Sequence, residues 1–122
     1  MREMKGFITI AADELDWEED KILTLPQGLK SKVLAMDKSK GLVDVMIKFP
    51  SGYVEPRHTH DSSHNIAVLE GKMIIEGKTL ERGGYVYAEP NIAHGPYEYP
   101  EGCVVFAHFE GSPAHKYVRR TT

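Results

Sequence analysis

From Lys30 onward the chain is cut by glycine and proline into short runs rich in β-branched and aromatic residues, a punctuation that suits an all-β barrel or sandwich. Lys30 to Met36 reads as a strand, Asp37 to Gly41 as a turn, and Leu42 to Phe49 as a second strand stopped by Pro50-Ser51-Gly52. A strand through His58 and His60 follows, then the polar turn Asp61 to Ser63, then His64 to Glu70, ending at Gly71. Lys72 to Glu76 is expected to pair with Thr79 to Glu81 across Gly77-Lys78. Gly83-Gly84 precedes the strand Tyr85 to Ala88, Pro90-Asn91 turns the chain toward His94, and Pro100-Glu101-Gly102 leads into Cys103 to Phe109. No amphipathic helix, internal repeat or low-complexity segment interrupts this pattern. Residues 1–29 differ: they are acidic and irregular, with Trp17, Ile22, Leu25 and Leu29 as anchors, and Pro26 and Gly28 break any long helix. The chain therefore divides into an N-terminal extension over 1–29, packed on the barrel or on a partner, and a barrel over 30–122.

A chain of 122 residues supports one hydrophobic core. Its charged fraction of 27% and net charge of -3 are ordinary, and no basic stripe with interleaved aromatics argues for nucleic acid. The basic cluster Lys116 to Arg120 reads as a solvated tail. A single cysteine, Cys103, rules out an intramolecular disulfide and fits a reducing compartment. The N-terminus lacks the apolar core of a signal peptide, and no apolar run is long enough to span a membrane, so a cytoplasmic protein is expected.

Chemistry concentrates in the histidines. Side chains at i and i+2 of a strand leave the same face, so His58 and His60 should point the same way. His64 follows four residues later and His94 stands after the Pro90-Asn91 turn. Together the four fit the ligand set of a buried mononuclear metal site, because imidazole is the usual nitrogen ligand of Fe, Mn, Zn, Ni and Cu.

These residues also carry a family resemblance. Gly52, five residues, His58-Thr59-His60, three residues, His64, six residues, Gly71 is similar to the first motif of the cupins, small double-stranded β-helix (jelly-roll) barrels. Gly84, five residues, Pro90, then His94 resembles their second motif. The resemblance implies a cupin jelly-roll barrel with one divalent transition metal. Two departures stand out. The family's usual glutamate ligand is His64 here, and the second motif is one residue short between Pro90 and His94, with Ile92 where glycine is common. The flanks, Asp16-Trp17, Leu25 to Asp37 and Glu101-Gly102-Cys103, resemble two groups. One is the cupin module of zinc-dependent anti-sigma factors, the other the small non-haem iron dioxygenases that cleave β-diketones.

Four neutral imidazoles leave a divalent ion its full charge, which favours an anionic ligand; octahedral coordination would leave two positions for a substrate, whereas a closed tetrahedral zinc site would leave none. His108 shares a strand face with Val104 and Phe106. The resemblance puts that face inward, making His108 a candidate catalytic acid/base or an orienter of ligand; a surface or hydrogen-bonded edge histidine is the other reading. Cys103, Val45, Ile47, Ile66 and Val68 read as packing residues, and most of the tyrosines as cross-strand packing. Arg57, Glu70 and Glu89 read as surface charges, and His115 as part of a polar tail. The leading expectation is a metal-dependent dioxygenase or other oxidoreductase acting on a small enolisable or aromatic compound. A non-catalytic ligand-binding or sensor cupin of the anti-sigma type is the alternative, and an isomerase or hydrolase a third. An apolar stretch, Phe7-Ile8-Thr9-Ile10, could add a strand to a partner's sheet, so a homodimer is expected.

Overall fold

A computed structural model describes residues 2–23, 28–114, 116 and 117. Among them run β1 (Glu18–Glu19), β2 (Lys30–Asp37), β3 (Leu42–Phe49), β4 (Tyr53–Glu55), β5 (His58–Thr59) and β6 (Ser63–Gly71). There follow β7 (Met73–Ile75), β8 (Lys78–Leu80), β9 (Tyr85–Ala88), β10 (Tyr97–Tyr99), β11 (Cys103–Glu110) and β12 (Lys116–Tyr117). A six-stranded sheet has the order β1-β2-β3-β11-β6-β9, a four-stranded sheet β4-β10-β7-β8, and β12 pairs with β5. All of these strand pairs are antiparallel. The expected all-β, jelly-roll class is found. No helix among the described residues is long and apolar enough to cross a membrane.

Alternation decides what faces inward. Along β3, Val43, Val45, Ile47 and Phe49 are buried while their neighbours are not; along β6 the buried set is His64, Ile66 and Val68. Along β11 it is Cys103, Val105, Ala107 and Phe109. Register aligns these sets: Phe109 lies opposite both Val43 and His64, and His64 opposite Ala88. One inward row thus reads Val43, Phe109, His64, Ala88. The smaller sheet contributes Glu55, Met73, Tyr97 and Tyr99. The two sheets meet where Phe49 stacks on Tyr99, ring centroids 3.8 Å apart and planes 6° from parallel. Such a pair adds about 0.5–1.5 kcal/mol beyond the area it buries.

The N-terminal region contributes to the same body. Leu23 and Leu29 enter the core, and β1 extends the edge at β2. Residues Arg2 and Met4 bond to the backbone of Met36, also on β2. Trp17 lies under the ammonium groups of Lys32 and Lys48. The stretch expected as an intermolecular strand forms no strand here: Phe7 is 92% exposed and Ile8 37%. Of the expected anchors, Leu25 lies outside the described residues, as does Pro26.

Turn chemistry moves one boundary. β7 and β8 are joined by Glu76-Gly77, both at positive φ (51° and 78°), one residue before the expected Gly77-Lys78. That pair of left-handed conformations is what a tight two-residue hairpin with native twist requires. Gly71 closes β6 at φ 80°, and a Cβ there would lie 2.3 Å from the Gly102 carbonyl oxygen and 2.9 Å from Cys103 Cα. Both obstacles are backbone, so they cannot rotate away. Gly71→Ala should cost about 2–4 kcal/mol through left-handed strain and overpacking together, read as a lower urea midpoint.

Candidate metal centre

Two strands, the residue just after the first, and one loop bring four histidines to the same end of the barrel. His58 lies on β5, His60 just after it, His64 on β6, and His94 in the loop between β9 and β10. His58 and His94 exchange both backbone hydrogen bonds, N to O at 3.0 Å each way, which locks the loop beside the strand. The Asn91 amide donates to the His60 carbonyl at 2.8 Å, and Asn91 itself adopts φ 64°, the conformation that lets the loop fold back. The rings pack edge to face: centroids are 4.9 Å apart for His58–His60, 4.3 Å for His58–His94 and 4.6 Å for His60–His64. All four side chains are buried.

Second-nitrogen bonds aim three of these rings. His58 Nδ1 lies 2.7 Å from the Pro56 carbonyl, His94 Nδ1 2.9 Å from the Ile92 carbonyl, and His60 Nδ1 3.1 Å and 3.2 Å from those of Pro113 and Ala114. A carbonyl only accepts, so each Nδ1 carries a proton, and in the neutral ring Nε2 holds the lone pair. One ring nitrogen from each of His58, His60 and His94 lies within 4.8 Å of the others. His94 Nε2 is buried without a hydrogen-bond partner among the described residues. Burial also pushes the His94 pKa below its ordinary value, outweighing its bond to the Ile92 carbonyl, so the ring is held in the neutral form that ligates a metal. A buried, unpartnered His94 Nε2 beside converging nitrogens of His58 and His60 is what a divalent transition metal needs, since it binds imidazole at about 2.0–2.1 Å. The residues fit such an ion. His64 stands against this trio, its ring 4.6 Å from His60 and 5.0 Å from His94.

The walls are apolar and aromatic with one exception. Ile47, Phe49, Ile66, Val105 and Phe109 line, with His58, His60 and His64, a narrow cavity of about 10 Å3, room for about one water. Phe109 packs on His60 and His64, and Tyr97 on His58 and His94. The exception is Glu55, 4% exposed, whose Oε1 accepts a 2.6 Å hydrogen bond from the Tyr99 hydroxyl and whose Oε2 lies 3.3 Å from His58 Nε2. Burial raises its pKa, and His58 and the Tyr99 bond oppose that rise. Sequence reasoning missed Glu55 because a continuous strand would put it and His58, three residues apart, on opposite faces. Pro56 and Arg57 break the strand between β4 and β5, and that break was the available signal.

His108 is corrected from the expected inward position. It points out of the six-stranded sheet with Val104 and Phe106, while Phe109 takes the inward place. There its Nδ1 meets the Asp44 carboxylate and its Nε2 lies 3.7 Å from Glu110 Oε1, with Asn65 across the strand on the other side. The structure brings His108 to none of the other histidines. Cys103 is inward and buried, with its thiol pKa pushed up to about 11 by burial, which suits a packing residue. Arg57 is exposed and bonds the Gly95 carbonyl. Tyr85 and Tyr87 are exposed, whereas Tyr97 and Tyr99 are core. His115 lies outside the described residues. His108→Gln should leave metal stoichiometry unchanged and shift stability by less than about 1 kcal/mol, as expected for a half-exposed ion pair; elemental analysis and a thermal melt check both.

Comparison with known proteins agrees with this architecture. The model of the ChrR cupin-like domain matches residues 5–112. No curated protein matches the chain. Among solved structures, a protein from Methylibium petroleiphilum PM1 proposed as an acetylacetone dioxygenase superposes with a TM-score of 0.77 at 21% identity, over 98% of this chain and 85% of that one. An acetylacetone dioxygenase from Acinetobacter johnsonii gives 0.70 at 15% identity, covering 91% and 77%. The Rhodobacter sphaeroides complex of SigE with the anti-sigma ChrR gives 0.61 at 20% identity, where 81% of this chain matches 51% of the other. At these identities the structural likenesses carry the fold alone. The family match is a matter of sequence and spans most of the protein: the chain belongs to the ChrR cupin-like domain family.

Proposed function

We propose that the protein is a metal-dependent cupin enzyme of the dioxygenase type, acting on a small enolisable compound, with the ion held by His58, His60 and His94 and with His64 as fourth ligand. The observation that carries the reading is the convergence of one ring nitrogen from each of His58, His60 and His94, whose Nδ1 atoms bond backbone carbonyls. When bound, the metal would supply Lewis acidity toward an enolisable substrate and a site for dioxygen chemistry. The protein's residues do the remainder. His58, His60 and His94 are neutral donors and leave the ion's charge available to an anionic substrate. Tyr97 and Phe109 cover the imidazoles on two sides and exclude water. Ile47, Ile66 and Val105 give an apolar wall suited to a short hydrocarbon. The structural likeness to acetylacetone dioxygenases supports a compact diketone as the first substrate to try.

A second reading is favoured by the family match itself: a ChrR-type module that binds metal as a sensor and turns nothing over. Elemental analysis followed by oxygen uptake with Fe(II) and acetylacetone separates the two. The enzyme reading expects about one ion per chain, lost on replacing His58 and His94 together by alanine, and oxygen consumption that depends on the diketone. Bound zinc with no oxygen uptake under Fe(II) assigns the chain to the sensor class. No ion in the wild type, or an ion retained by the double variant, removes the site.

Self-association through the exposed Phe7–Ile8 stretch is part of the same proposal. A dimeric mass by light scattering at micromolar concentration is expected, and a monomeric mass would sink it.

A further inference from the structure

Glu55 enters the centre from a strand that carries none of its histidines. Its two oxygens face different chemistry. Oε1 takes the Tyr99 hydroxyl proton at 2.6 Å, a bond between two buried side chains that fixes the carboxylate plane. Oε2 then points at His58 Nε2, 3.3 Å away. In the neutral ring that nitrogen holds the lone pair, because His58 Nδ1 donates its N–H to the Pro56 carbonyl. A carboxylate oxygen and an imidazole lone pair repel unless something positive lies between or beside them. One proton is the minimal solution. A cation held by the converging nitrogens of His58, His60 and His94 is the other, with Glu55 standing beside the ion through its 3.3 Å contact with His58.

Resting on the metal-centre reading above, we propose that Glu55, aimed by Tyr99, is the anionic member of that centre and strengthens its hold on a divalent cation. With four imidazoles the centre would carry the ion's whole charge in a dry cavity. A fixed carboxylate on the His58 side offsets one unit of it, and a unit charge a few ångströms away in such surroundings is a strong interaction. Ile66, Val105 and Phe109, on the larger sheet, carry no carboxylate and leave that wall apolar for a substrate. Tyr99 is a positioning residue: it touches Glu55 and packs on Phe49, and so ties carboxylate geometry to the sheet-to-sheet contact.

The test is the affinity of the purified protein for Zn(II) and Co(II) by chelator competition, with the Co(II) visible spectrum as a second readout. Glu55→Gln keeps size and an oxygen for Tyr99 but removes the charge; it should weaken binding about 10–100-fold and alter the Co(II) bands. Tyr99→Phe leaves the charge and removes its aim, and should weaken binding by about threefold to tenfold. If the glutamine variant does not fold, Tyr99→Phe decides the matter alone. Wild-type affinity in the folded variants overturns the proposal. A His58→Ala protein that loses the ion while Glu55→Gln keeps it leaves the three-histidine centre standing and makes Glu55 a structural partner of Tyr99. A wild type that binds neither metal overturns both.

Discussion

The two backbone hydrogen bonds exchanged by His58 and His94 are the constraint on which the centre depends. They join residues 36 positions apart and set their Cα atoms at the spacing of a hydrogen-bonded antiparallel pair, which brings the rings together whatever their side chains prefer. Everything around the bridge is arranged to keep it. Asn91 folds the loop back onto His60, the Arg57 guanidinium grips the Gly95 carbonyl, and Tyr97 lies across both imidazoles from below. A metal site usually needs its ligands organised before the ion arrives, because ordering them on binding costs conformational entropy. Here the backbone has met most of that cost during folding.

Strand positions were legible because their physical signal is local. A period of two and glycine or proline at the ends located β2, β3, β6, β9 and β11 to within a residue or two. The two motif histidine groups were legible for the same reason, being short segments with fixed spacing. What failed to read depends on long-range register. Cys103 to Phe109 is apolar on both faces, so alternation defines two sets without saying which looks inward, and His108 was placed with the wrong one. The register of β11 between β3 and β6 settles it: Phe109, not His108, stands level with His64. Likewise β10 went unread, since three residues between two prolines give no period, and its Tyr97 and Tyr99 matter only through partners more than 20 residues away.

Glu55 illustrates the limit from the other direction. Motif spacing describes which residues stand at conserved-looking intervals around the histidines, and Glu55 lies outside that description. Its importance comes from three things that no window contains: a broken strand, a tyrosine from another strand, and a histidine whose Nδ1 donates to a carbonyl.

The carbonyls that orient His60 belong to Pro113 and Ala114, beyond the last strand of the main sheet. That segment is stitched down by Ser62 to the Ser112 carbonyl, by Lys116 to Asp61, and by the pairing of β12 with β5. It behaves as a strap laid over the histidine-bearing strand. One of the three imidazoles thus takes its direction from the far end of the chain, so lifting the strap would unaim a single donor while the His58–His94 bridge stays closed. The donors are thus aimed from two separate stretches of backbone, the His58–His94 bridge and the run from Ser112 to Ala114.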